Sequence, residues 1–155
     1  ERALLLLSIL TAGGIVLQYP LGWLADRTSR IGVALGLAAA FIVLVLALPG
    51  ALPRAGIAEA FAFLLGGVIL GFYSVGLAIV GEEVAKADLA SANAAFIVLY
   101  QVGSIAGPAI SGAAMTQAPI AGFVATVVTL MTASAAAMLW LWWRRGRVER
   151  KPAGS

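Results

Sequence analysis

Ionisable side chains cluster in three short stretches: Asp26, Arg27 and Arg30 in one, Glu82, Glu83, Lys86 and Asp88 in another, and the mostly basic tail 144–151 in the third. Neutral polar side chains are placed differently, with Gln18, Tyr73, Asn93, Tyr100 and Gln101 set inside long apolar runs. There is no cysteine and no histidine, which removes thiol nucleophiles, disulfides and the usual zinc or haem ligands. No pair of carboxylates shares an apolar run, so acid and base catalysis has no seat there. No catalytic residue, metal site or cofactor is therefore expected. What remains is ion pairing at the ends of the runs and uncharged hydrogen bonding within them.

The elements that carry these residues follow from composition. Of 155 residues, 62% are hydrophobic and 11% charged, against about 25% charged in an average soluble domain. The mean hydropathy is +1.02. Too few polar residues exist to coat a water-soluble core. A membrane-crossing helix needs about 20 mostly apolar residues, and five runs approach that length: 3–23, 32–48, 60–80, 93–114 and 120–143. The expected fold class is an all-α membrane protein of five transmembrane helices. The chain opens on Glu1 and meets an apolar run at Ala3, which reads as a cut inside a longer protein rather than a signal peptide.

Lys and Arg positions orient the spans. Alternating loops place Arg27, Arg30, Lys86 and the tail residues Arg144, Arg145, Arg147, Arg150 and Lys151 on one side, leaving only Arg2 and Arg54 opposite. The basic side is expected to be cytoplasmic, with the N-terminus of the chain outside and its C-terminus inside. Trp140, Trp142 and Trp143 form an aromatic anchor where the last span leaves the bilayer. The net charge of +3 is concentrated in that tail, which fits a membrane flank better than a nucleic-acid partner. Residues 149–155 are expected to form a disordered cytoplasmic tail.

Two motifs give the chain a resemblance. Gly22, Asp26, Arg27 and Arg30 match the signature G-x-x-x-D-R-x-G-R-R of the major facilitator superfamily, with Ser29 and Ile31 departing from it. Gly103, Gly107, Pro108 and Gly112 match a second pattern of that family, G-x-x-x-G-P-x-x-G-G, with Ser111 departing. The chain thus resembles the C-terminal half of such a transporter, spans eight to twelve of a twelve-helix bundle. That resemblance implies secondary active transport of a small solute, a bacterial plasma (inner) membrane location, and as partners membrane lipid, the missing N-terminal half and an unidentified small-molecule substrate. The fragment is not expected to transport alone.

The resemblance and the residues together suggest roles. Gly22, Asp26, Arg27 and Arg30, with Glu82 and Glu83 on the same side, form a candidate conformational latch; the alternative is a set of solvated loop charges. Gly103 and Gly107 offer a small-xxx-small packing face, and Pro108 withdraws a backbone donor and invites a kink. At 100° per residue, Asn93, Tyr100, Ser104, Gly107 and Ser111 fall within about 40° of one line. With Gln18, Tyr73 and Gln101, the larger of these polar side chains are candidates for a substrate cavity, and helix packing is the competing account. Gly67, Gly71 and Ser74 share a face that reads as close helix contact. Spans 32–48 and 120–143 carry few polar residues and are expected to face lipid. A non-transporting membrane scaffold is the alternative function.

Overall fold

The computed structural model describes residues 1–148, so the expectation for 149–155 lies outside the described residues. Five α-helices follow one another: α1 (Arg2–Arg27), α2 (Arg30–Ala51), α3 (Ile57–Glu83), α4 (Leu89–Met115) and α5 (Pro119–Val148). Each of the five apolar runs lies inside one of them. All five are long and apolar enough to cross a membrane.

Local chemistry sets the helix ends. Ser29 caps α2, its hydroxyl accepting from the Gly32 amide at 3.1 Å. Gly56 takes the left-handed conformation, φ +82°, at the turn into α3, and the Glu59 carboxylate accepts from its amide. Pro119 opens α5, where its missing N–H costs nothing. At the far end of α2, Arg54 donates to the Gly50 carbonyl at 2.6 Å and Arg2 to the Leu52 carbonyl at 3.0 Å. Both cations thereby meet carbonyls that the ending helix leaves unpaired.

Several hydroxyls within the helices are satisfied by their own backbone. Ser8, Thr11 and Ser134 each donate to the carbonyl four residues earlier at 2.9 Å, and Ser104 does the same at 3.0 Å. In a bilayer no water is available for that role, so this back-bonding is what makes these residues tolerable there.

Helix α3 is central. It packs against α1 and α2 and also touches α4, while α5 joins α2 and α4. The buried cluster Ala25, Ala34, Leu37, Val68 and Val75 joins the first three helices, and Met138 of α5 packs against it. Glycine brings α1 and α3 into backbone contact: a methyl group at Gly13 would overlap the Phe63 carbonyl, and one at Gly66 the Leu10 carbonyl. Gly67 and Gly71 lie under the side chains of Leu17 and Leu21. Such a seam is how helices associate when the solvent is as apolar as their side chains.

The second span is not purely lipid-facing. Ala34, Leu37, Ala38 and Val45 of α2 are buried, while Val43 and Leu46 stand out at 64% and 56% exposure. Hydropathy does not distinguish a neighbouring protein helix from lipid, so this division was invisible in the sequence. Helix α4 buries only Ser111.

Candidate functional site

The α1–α2 turn brings Asp26 and Arg30 four residues apart across two helices. An Arg30 nitrogen (Nη2) donates to Asp26 Oδ1 at 2.9 Å, and Nη1 donates to the Ala78 carbonyl of α3 at 2.8 Å and lies 3.3 Å from Glu82 Oε1. One guanidinium therefore ties α1, α2 and α3 together at a single end of the bundle. The planar fork of arginine suits this, since its donors point to several oxygens at once. The Arg30 side chain is three-quarters buried, whereas both carboxylates are mostly exposed. Solvent screening holds each ion pair to about 1 kcal/mol or less. The bond to the sheltered carbonyl is the stronger element, at about 1.5–3 kcal/mol for a charged donor.

A polar cavity of about 300 Å³ adjoins this junction, lined by Asp26, Ser29, Arg30, Glu82 and Glu83 among others. Arg27 takes no part in the bridge; its guanidinium lies over the Trp23 ring, 4.3 Å from the centroid. Arg144 covers Trp140 at the same distance. Both pairs stand toward helix ends on the same side of the bundle as Arg30, where a cation over an indole suits the membrane interface. Gly22 meets nothing within 4 Å of where a methyl group would sit.

Deeper in the bundle a second set of contacts forms. Gln18 Nε2 of α1 donates to Ser74 Oγ of α3 at 2.6 Å, and Ser74 Oγ donates to the Leu70 carbonyl at 3.0 Å. Beside Ser74, the Tyr73 ring meets Tyr100 edge-on at 4.9 Å between centroids and Phe96 at 5.6 Å. Asn93, on the same face of α4, keeps its Oδ1 buried without a partner. Gln101 is exposed. The structure thus joins Gln18 to the neighbourhood of Tyr73 through Ser74, a residue the sequence assigned to helix packing. The signal that would have found it is the pairing of a lone glutamine in α1 with a lone serine in α3 at matching distance from the charged ends.

A methyl group at Gly103, Gly107 or Gly112 would meet no atom within 4 Å. Helix α4 runs unbroken through Pro108. The close glycine contacts lie elsewhere, at α1–α3 and where Gly122 of α5 meets the Ala114 backbone of α4.

Comparison with known sequences agrees with the motifs. The Major Facilitator Superfamily profile matches residues 3–155. An uncharacterized MFS-type transporter, YcaD, of Shigella flexneri is 34% identical over 109 residues, 70% of this chain and 28% of that protein. Its counterpart in Escherichia coli O9:H4 is 33% identical over the same proportions. The MFS-type transporter Ent638_1421 of Enterobacter sp. strain 638 is 34% identical over 102 residues, 66% of this chain and 26% of that protein. No solved structure matches. The chain belongs to the Major Facilitator Superfamily and is an integral membrane protein. It spans little more than a quarter of the length of the relatives it matches.

Proposed function

We propose that this chain forms part of a secondary transporter that moves a small solute by alternating access, with α1–α5 as spans eight to twelve and an N-terminal half completing the bundle. The observation that carries this reading is the Arg30 bridge from Asp26 to the Ala78 carbonyl and Glu82. A bridge that fixes how α1, α2 and α3 meet at this end sets the surface they offer to the N-terminal half, and its loss shifts the population between the two states. The reading places the bridge on the cytoplasmic side of a bacterial inner membrane, with the N-terminus of the chain outside. Gln18, Tyr73, Asn93, Tyr100 and Gln101 then line the solute path, and lipid covers the remaining apolar surface.

The test uses the full-length transporter in proteoliposomes with Asp26→Asn. The reading expects a changed ratio of inward to outward accessibility together with altered flux. Unchanged values of both would remove the latch role.

The open glycine face of α4 also suits a scaffold that binds partner helices without transporting. Cysteines at Asn93, Tyr100 and Gln101 separate the two, since a scaffold packed by helices and lipid leaves all three unreactive toward aqueous thiol reagents.

A further inference from the structure

Within the transport reading, we infer that the contacts around Ser74 form a subsite for an uncharged planar aromatic solute bearing an N–H or O–H donor. Ser74 fixes the geometry. Its hydroxyl proton is committed to the Leu70 carbonyl, so its oxygen faces Gln18 only as an acceptor. The Gln18 amide must therefore turn its NH₂ toward Ser74, which leaves Oε1 pointing away as an acceptor. Gln18 is itself exposed. Ser74 is a positioning residue: it selects which end of the amide is offered.

The aromatic component lies one residue away on α3. Tyr73 and Tyr100 hold each other edge-to-face, and Tyr100 remains 46% exposed. Rings held this way present surface that stacks a third planar ring. The two components share a depth. At 1.5 Å per residue, Gln18, Ser74 and Tyr100 stand roughly 14–17 Å along their helices from the Arg27, Glu83 and Leu89 ends. That is about half of a ~30 Å hydrocarbon core.

The absence of net charge follows from the same depth. Asp26, Arg30, Glu82 and Glu83 all lie at the helix ends, and no acidic or basic residue occurs in the runs 3–23, 60–80 or 93–114. A charged solute at the ring pair would lose its hydration and gain no counter-ion from these helices. A neutral ring with one donor gains both contacts on offer.

The experiment measures calorimetric binding to the full-length transporter in nanodiscs, with empty nanodiscs subtracted. The probes are indole, which has a ring and one N–H, and 1-methylindole, which has the ring alone. The expected result is saturable indole binding, with 1-methylindole about fivefold weaker, the size of one neutral hydrogen bond. Gln18→Leu and Ser74→Ala should each erase that difference, Ser74→Thr should retain it, and Tyr100→Leu should weaken both probes alike. Equal binding of the two probes, or no saturable indole binding, overturns the inference. Labelling of Gln101→Cys in the same preparation separates this failure from that of transport: a reactive cysteine without indole binding removes only the solute class, and an unreactive one removes the cavity.

Discussion

Arg30 and Asp26 are paired at 2.9 Å across the break between α1 and α2, and the same guanidinium continues to the Ala78 carbonyl of α3. Three helices are thus joined through one side chain whose charge is fixed at any physiological pH. Lysine carries the same charge but concentrates it on one nitrogen at the end of a flexible stem. We expect Arg30→Lys in the full-length protein to lower stability by about 1–2 kcal/mol, most of it from the lost carbonyl bond. Thermal melting in detergent checks this; an unchanged melting temperature contradicts the weight given to the bridge.

The α1–α3 seam predicts a sharper effect. At Gly66 an added methyl group meets the Leu10 backbone rather than a yielding side chain. Gly66→Ala should separate the helices and cost about 1–3 kcal/mol, the usual penalty of overpacking. Gly13→Ala should behave alike. Because the two positions lie in one seam, the double variant should cost less than the sum of the singles. Melting temperatures of the three variants give the comparison.

Gly22 and Gly107 give the opposite expectation for this bundle, since neither meets a neighbour among the described residues. Alanine there improves helix propensity by about 1 kcal/mol and creates no clash within α1–α5. If Gly22→Ala or Gly107→Ala nevertheless impairs flux in the full-length transporter while the melting temperature holds, the obstructed neighbour lies in the N-terminal half. Unimpaired flux in both places these faces against lipid.

Salt should separate the two layers of polar contact. The Asp26 and Glu82 carboxylates are 66% and 61% exposed, so raising ionic strength to about 1 M, where the Debye length falls to ~3 Å, weakens their pull on Arg30. The Gln18–Ser74 bond is uncharged and should not respond. The predicted outcome is a salt-dependent accessibility ratio in the native protein that becomes salt-independent in Asp26→Asn/Glu82→Gln.

The extent to which this was legible in the sequence differs by layer. The five helices were readable because a bilayer demands long apolar runs, and charged turns such as 26–30 interrupt them cleanly. The meeting of Arg30 with Glu82 could be anticipated only as two charges on one side of the membrane; the Ala78 carbonyl carries no side-chain signal at all. Glycines were the hardest. Gly66 and Gly103 look alike in sequence, yet one lies against the Leu10 backbone and the other faces open space, because spacing announces a close approach without naming the partner. Ser74 falls on a face of small residues, which in sequence reads as packing, and its hydrogen bond to Gln18 depends on how α1 crosses α3.

Under the proposed transport cycle the middle of this bundle opens to water from one side at a time under control of the Arg30 bridge. The direct measurement is labelling of Gln101→Cys by a membrane-impermeant thiol reagent in right-side-out and inside-out vesicles of the full-length transporter, with and without Arg30→Gln. Labelling from both faces, with the ratio shifted toward the cytoplasmic face by Arg30→Gln, is the predicted result. A cysteine silent from both faces, or a ratio indifferent to Arg30, would contradict it.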